Sequence, residues 1–249
     1  MRLDLYLSEN GFCASRSRAQ ELIKNGCVSV CGKIISKPSY DYAPGGADEI
    51  TVDDNIQYVS RGGLKLKAAV DRFGIDVKGC NALDIGASTG GFTDCLLKEG
   101  ARHVWCVDSG SGQLHLSLLR DDRVTSLENT NARYLTKDKL INACGFDGFE
   151  IDIAVMDVSF ISQTLIYDAV YNILKDGGIF VSLIKPQFEV GRDKIGKGGI
   201  VKDDKTRLYA IDKIKAAAKE QGFKWVGVID SPICGGDGNR EFVAVMKKF

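Results

Sequence analysis

From Cys80 onward the chain alternates short apolar runs of strand length with helix-length amphipathic segments. Strand candidates fall at 82–85, 103–107, 124–127, 152–156, 178–184, 224–229 and 241–246. Helical patterns occupy 91–98, 137–143, 163–174 and 205–221, with a shorter one at 113–118 and another at 63–73 before the first strand. Strands separated by helix-length connections do not form tight hairpins; they build a parallel, doubly wound α/β sheet with helices on both faces. The last two strand candidates flank a loop at 231–239, which predicts an antiparallel hairpin ending the sheet. Ligands of such folds bind at the C-terminal edge of the strands, so strand ends are where chemistry is to be sought.

The first 60 residues read differently. Leu3-Asp4-Leu5-Tyr6-Leu7 opens one amphipathic turn, and 15–24 reads as a helix capped by Ser15 and stopped by Asn25-Gly26. Short strands at 27–30 and 33–35 flank Cys31-Gly32, followed by a turn at Pro44-Gly45-Gly46 and a strand at 49–52. This is a small α+β module. The chain as a whole balances 33 Lys+Arg against 33 Asp+Glu, but the charges are segregated. Residues 1–40 hold six Lys/Arg and three acids, 41–60 five acids and no Lys/Arg, and 61–80 five Lys/Arg and two acids. The zero balance therefore excludes only indiscriminate binding through overall charge. A basic face carrying Arg2, Arg16, Arg18, Lys24 and Lys33, with Arg61 heading the second basic stretch, suits RNA phosphates. Base readout by stacking looks weak there, because Tyr6 and Phe12 are the only aromatics in the first 39 residues.

At 44% hydrophobic and 27% charged residues the chain is neither disordered nor collagen-like. No stretch approaches the roughly 18–20 apolar residues that span a bilayer. Eight cysteines in 249 residues are too sparse for a disulfide scaffold, and Met1-Arg2-Leu3-Asp4 does not open a signal peptide. The expectation is a cytoplasmic protein with free thiols and no stable membrane insertion. His103 and His115 lack metal-ligand spacing and Cys27-x-x-x-Cys31 has no partner pair, so no metal site is expected.

The most informative local feature is Leu83-Asp84-Ile85-Gly86-Ala87-Ser88-Thr89-Gly90-Gly91-Phe92, an apolar strand running into a glycine-rich turn that opens a helix. Glycine serves where backbone must turn sharply and lie close to a ligand. The spacing is G-x-x-x-G, not the dinucleotide G-x-G-x-x-G, which suits a nucleoside better than a pyrophosphate. Asp108 ends the next strand, where nucleotide-binding folds place a carboxylate for ribose hydroxyls. Gly86, Ala87, Ser88, Thr89 and Gly90, with Asp84, Asp108 and Asn131 after the third strand, form the expected cofactor site for S-adenosylmethionine. The other reading of the turn is tight strand–helix packing.

Four more polar residues sit where packing alone predicts apolar ones. Asp157 follows Ile153-Ala154-Val155-Met156, Lys185 follows Phe180-Val181-Ser182-Leu183-Ile184, Glu241 opens Phe242-Val243-Ala244-Val245, and Lys65 lies in the helix after the acidic stretch. Singly, each reads as a solvated strand end or helix face. Together, two lysines and two carboxylates beside a cofactor cleft make a catalytic cluster. Beyond Lys185, the glycine-rich basic stretch 191–199 reads either as a solvated loop or as an RNA-gripping lid.

These motifs resemble the TlyA-type family, whose members carry both hemolysin-like and ribosomal RNA 2′-O-methyltransferase names. Residues 1–58 resemble the small RNA-binding module of a small-subunit ribosomal protein; 59–63 would be the linker and 64–249 an FtsJ-like methyltransferase domain. The resemblance runs through Tyr58-Val59-Ser60-Arg61-Gly62-Gly63-Leu64-Lys65-Leu66, the Asp84 turn, Asp157-Val158-Ser159-Phe160, Ile184-Lys185-Pro186-Gln187-Phe188-Glu189 and Gly238-Asn239-Arg240-Glu241-Phe242. It covers nearly the whole chain. One departure is Cys31, where the RNA-binding module commonly has Asn. The resemblance implies a Rossmann-like methyltransferase fold and a catalytic tetrad of Lys65, Asp157, Lys185 and Glu241. It also implies S-adenosylmethionine as methyl donor and a cytidine ribose of ribosomal RNA, in free RNA or subunits, as acceptor.

The chemistry suits that assignment. A ribose 2′-hydroxyl is a poor nucleophile and needs positioning and help in losing its proton. Burial and neighbouring cations lower a lysine from its usual pKa of about 10.4, making neutral amine accessible. On this expectation Lys185 takes the proton or orients the oxygen, Asp157 and Glu241 hold the lysines, and Lys65 binds the reacting nucleotide. Two other classes stand beside it: a membrane-active hemolysin, and a non-catalytic RNA-binding or ribosome-assembly factor.

Overall fold

The computed structural model describes residues 1–24, 26–44, 49–52 and 57–249. The expected helix stop at Asn25 and most of the Pro44-Gly45-Gly46 turn lie outside these residues. The chain divides into two compact units, Met1–Arg61 and Gly62–Phe249.

In the first unit, helices α1 (Leu3–Glu9) and α2 (Arg16–Lys24) pack beside strands β1 (Val28–Val30), β2 (Lys33–Ile34) and β3 (Ile50–Val52), in the order β2-β1-β3. Leu3 and Leu7 recur four apart on α1, as do Ala19 and Ile23 on α2; with Leu22 they bury against Val28, Val30, Ile35 and Tyr42. The Ser15 hydroxyl accepts the Arg18 N–H at 3.2 Å, forming the N-terminal cap of α2. Val30 pairs with Lys33, so Cys31-Gly32 is a two-residue hairpin loop. Its φ angles are +49° and +73°, the double left-handed geometry that favours Asn-Gly. Cys31 thus bears strain that an asparagine, which tolerates this conformation better, would relieve.

The second unit begins with α3 (Gly62–Phe73) and carries a seven-stranded sheet. Its strands are β4 (Asn81–Ile85), β5 (His103–Val107), β6 (Val124–Leu127), β7 (Ile151–Met156), β8 (Leu174–Ile184), β9 (Phe223–Asp230) and β10 (Phe242–Lys248). The spatial order is β6-β5-β4-β7-β8-β10-β9. Pairs from β6 through β8 are parallel, whereas β10 is antiparallel to both β8 and β9. The expected terminal hairpin therefore folds back so that its second strand lies inside and β9 takes the edge.

The remaining helices are α4 (Gly91–Lys98), α5 (Leu116–Leu119), α6 (Lys137–Cys144), α7 (Tyr167–Ile173), α8 (Pro186–Glu189) and α9 (Asp204–Gln221). The helix expected at 163–174 is instead a 3-10 turn, Gln163–Ile166, followed by α7; strand β8 starts directly at Leu174. Leu83 and Ile85 of β4 pack into a core with Tyr167 and Val170 of α7 and Ala210 and Ile214 of α9. The alternate residue Asp84 faces the other side and meets Thr93 of α4. Helices thus cover both faces, and only the strand ends remain open for a site. Among the described residues no helix is long and apolar enough to cross a membrane.

Candidate active site

Strand β4 is followed by Gly86, whose φ is +80° and where a Cβ would lie 2.4 Å from the Asp157 carbonyl oxygen. Both facts require glycine. A cavity of about 330 Å³ opens there, within the size range of small-molecule sites. Gly86, Ser88, Asp108, Asp157 and Ser159 line it, and Ile85, Val107, Ala132 and Ile166 supply apolar walls. The Asp108 carboxylate is held in place by two backbone donors, Ser88 N–H at 2.8 Å and Gly110 N–H at 2.7 Å, one on each oxygen. Each oxygen keeps a further lone pair for a ligand hydroxyl.

The other residues expected to hold a cofactor stand behind this lining. Gly90 is left-handed (φ +93°) and packs against Leu118 and Leu114, so its glycine serves the turn's close packing. Ala87 donates its N–H to the Val107 carbonyl at 3.3 Å, and the Thr89 carbonyl accepts the His115 N–H at 3.2 Å. Asn131 turns its side chain onto its own segment, accepting the Arg133 N–H at 3.0 Å, while its neighbours Thr130 and Ala132 reach the cavity. Asp84 is fully buried: Oδ2 accepts the Thr93 hydroxyl at 2.6 Å, and Oδ1 has no hydrogen-bond partner among the described residues. Burial pushes its carboxyl up to about 7 against the Thr93 bond, and the nearby Asp157 and Asp108 charges add to the rise. Asp84 therefore acts from beneath the turn.

Strand register assembles the four-residue cluster. Ile85 pairs with Met156, which sets Gly86 beside Asp157. Phe242 pairs with Ile184, which sets Glu241 beside Lys185 on adjacent antiparallel strands. Lys185 Nζ lies 2.6 Å from Asp157 Oδ1 and donates to Ser159 Oγ at 2.8 Å. Lys65 Nζ, from α3, donates to Glu241 Oε2 at 2.6 Å. Side-chain exposures of 10% for Lys65 and 3% for Glu241 leave that pair little solvent screening. A buried ion pair is a poor device for stability, so Lys65–Glu241, at the same sheet edge as the half-buried Lys185–Asp157 pair, points to chemistry.

Several lining residues escaped sequence reasoning. Gln113 accepts the Ser88 hydroxyl at 3.2 Å. Ser159 and Phe160 stood in a recognised motif without an assigned role. Phe160 is 92% exposed at φ +64°, its ring 5.2 Å from that of Phe188. An aromatic side chain held out into solvent in a strained conformation is a signal only a structure supplies.

In the first unit, Arg2 and Arg16 converge on Asp4, which is buried beneath them. Arg2 contacts it through Nε and Nη2, both at 2.9 Å, Arg16 through Nε at 3.1 Å, and Gln20 through Nε2 at 2.7 Å. These partners, Arg2 foremost, hold the Asp4 carboxyl well below the usual carboxylate range. Both arginine side chains remain 48% exposed. Arg18 pairs with Glu21 at 2.8 Å, and Lys24 and Lys33 are exposed. Arg61 lies against Gly26, where a Cβ would meet its guanidinium at 2.6 Å.

A nucleoside-type cleft beside paired lysines and carboxylates, on a sheet with one reversed strand, defines a Rossmann-like methyltransferase class. Comparison with known proteins agrees. The family described as FtsJ-like methyltransferase matches residues 58–248, and the S4 domain matches residues 1–47. The chain belongs to the FtsJ-like methyltransferase family and carries an S4 domain at its front. It is 43% identical over 244 residues to Hemolysin A of Brachyspira hyodysenteriae, covering 98% of each chain. It is 41% identical to the 16S/23S rRNA (cytidine-2′-O)-methyltransferase TlyA of Mycobacterium tuberculosis, covering 97% of this chain and 87% of that one. A solved hemolysin-type structure from Streptococcus thermophilus matches with a TM-score of 0.77 at 39% identity, over 100% of this chain and 88% of that chain.

Proposed function

We propose that this protein methylates the 2′-hydroxyl of a cytidine in ribosomal RNA, using S-adenosylmethionine, in the cytoplasm. One observation carries the reading: Asp157 both lines the cavity and holds Lys185 at 2.6 Å, which couples a cofactor cleft to a basic side chain. The residues fit the cofactor. Asp108 is fixed to accept a ribose diol, Gly86 permits close backbone approach, and Ile85, Val107 and Ala132 wall an adenine-sized slot. When bound, S-adenosylmethionine supplies a methyl group on a sulfonium, a good leaving group.

The chain's own residues do the rest. Lys185 acts as the neutral amine, having first released its ion-pair proton to solvent; Nζ then takes the proton of the 2′-hydroxyl, and Asp157 balances the ammonium that results. Ser159 fixes the direction of the amine through its 2.8 Å hydrogen bond. Lys65, held by Glu241, binds the reacting nucleotide and offsets negative charge developing on the oxygen. Such positioning is where most of the barrier reduction lies, because the sulfonium needs no further activation. The S4 domain contributes salt-dependent phosphate contacts through Arg2, Arg16, Arg18, Lys24 and Lys33, and Arg61 adds another beyond it.

Tritiated methyl transfer to isolated ribosomal subunits and to naked ribosomal RNA, followed by mass-spectrometric mapping, tests the proposal. The expected product is a methyl group on a cytidine 2′-oxygen. Methylation on a base, or no transfer to any of these substrates, overturns it; the latter leaves a non-catalytic RNA-binding factor.

A further inference from the structure

Beneath the loop that carries Asp157 and Ser159 lies a polar network that no step above uses. Glu189, the last residue of α8, is buried. Its Oε1 accepts the Gln163 backbone N–H at 2.9 Å. Its Oε2 accepts the Ser162 hydroxyl at 2.6 Å and Lys213 Nζ at 3.1 Å, and its own carbonyl accepts Lys213 Nζ at 2.8 Å. The buried Gln163 side chain extends the network: Oε1 accepts the Tyr167 hydroxyl at 3.0 Å and the Ser182 hydroxyl, and Nε2 donates to the Leu183 carbonyl at 3.4 Å.

The network joins the two stretches of chain that also meet at Lys185 Nζ. Ser182 and Leu183 come just before Lys185, and Glu189 comes four residues after it. Ser162 and Gln163 come just after Ser159. The strand and helix that present the amine are thus tied to the loop that presents its partners. At the other end of that loop, the Asp157 N–H donates to the Ile85 carbonyl at 2.9 Å. Between these anchors sits Phe160 at φ +64°. Strain of that kind persists only where surrounding structure over-determines it.

Stability alone does not account for these residues. A buried carboxylate and a buried amide cost desolvation that apolar side chains of similar volume avoid, and a polar network is worth keeping when it fixes one geometry. We infer that Glu189, acting with Gln163, is a positioning residue that fixes loop 157–163 so that Asp157 and Ser159 stay on Lys185 Nζ. The inference rests on the proposed methyl transfer, since it assigns Glu189 to the same reaction.

Glu189→Gln keeps the shape but replaces one acceptor oxygen with a donor, leaving Ser162 or Gln163 facing an N–H. Glu189→Asp keeps the charge. For Glu189→Gln, kcat should fall by about 10- to 100-fold, the scale of a reacting group misplaced by an ångström or less. KM for the ribosomal substrate should stay within about twofold, and S-adenosylmethionine affinity by calorimetry should fall much less than kcat, because Gly86 and Asp108 keep their places while only the 157–161 side of the cavity loosens. Amide hydrogen exchange should accelerate in 157–163 and not across the sheet, and Glu189→Asp should recover part of kcat. Wild-type kcat in Glu189→Gln overturns the inference, as does exchange that rises throughout the unit. If the wild-type protein transfers no methyl group, the reading of the site fails, while the exchange pattern still decides whether Glu189 clamps the loop.

Discussion

Gly86 meets Asp157 backbone to backbone: a Cβ on the glycine would intrude to 2.4 Å from the aspartate's carbonyl oxygen. The turn that shapes the cofactor cleft and the residue that holds Lys185 are therefore one mechanical unit. Gly86→Ala adds a left-handed backbone penalty of about 1–3 kcal/mol to this overlap. The variant should lose at least about tenfold in methyl-transfer kcat/KM and bind S-adenosylmethionine more weakly. Calorimetric titration beside the transfer assay checks both; a loss of turnover with intact cofactor affinity would show that only the Asp157 side is disturbed.

Lys185→Ala removes the proposed proton acceptor without touching Asp108 or Ser88. Methyl transfer should fall by about 10²- to 10⁴-fold, the usual scale for losing a general base, with S-adenosylmethionine affinity preserved. Turnover at the wild-type rate would remove Lys185 from the mechanism.

The Lys65–Glu241 pair should behave differently, because breaking it strands a charge. Glu241→Ala leaves a largely buried ammonium uncompensated, at a cost of about 3–5 kcal/mol. Chemical denaturation should show that loss. A companion Lys65→Met, Glu241→Met double variant should recover most of the stability and none of the methyl transfer.

Asp84 gives the cofactor-free protein a distinctive pH dependence. Its carboxyl rises from an ordinary 3.8 to about 7, so between these values the folded chain keeps a proton that the unfolded chain releases. Stability from this group therefore falls as pH rises through that window and levels off above about 7. Asp84→Asn cannot ionise. Its Tm relative to wild type should climb from pH 4 to pH 7 and stay flat beyond; a difference independent of pH would mean that Asp84 does not titrate there.

In the S4 domain, Asp4 pre-forms the geometry of Arg2 and Arg16 while leaving both half exposed. If Arg16 contacts one phosphate, Arg16→Ala should weaken RNA binding and reduce the slope of log affinity against log salt by about 1. An unchanged slope would place the RNA elsewhere on the domain.

Much of this site could be read from the sequence because it lies where chain pattern changes abruptly. Asp157, Lys185 and Glu241 interrupt or border apolar strand runs, and strand polarity alone put them at one edge. What periodicity could not supply was partnership. It did not pair Lys65 with Glu241, or separate Asp108, whose carboxylate enters the cavity, from Asp84, which is sealed beneath it. Asp84 lies inside β4, level with Cys106 and against Thr93, whereas Asp108 lies two residues further along, past the end of β5 at the open edge. Asn131 shows the same limit, since a local cap claims its side chain. Arg2 and Arg16 were legible as basic but not as tethered, because their shared carboxylate lies one helical face away in a stretch that looked simply amphipathic.

The reversed strand β10 has a consequence for when activity can arise. Lys65 and Glu241 stand 176 residues apart in the chain, and β10 must enter between β8 and β9 to bring them together. A growing polypeptide can complete the cofactor cleft from β4, β5 and β7 long before it owns the carboxylate that holds Lys65. Such a long-range closure is a slow, late event in folding. On the proposed mechanism, competence for methyl transfer is therefore among the last properties the chain acquires, and a chain that has not yet added β10 lacks it.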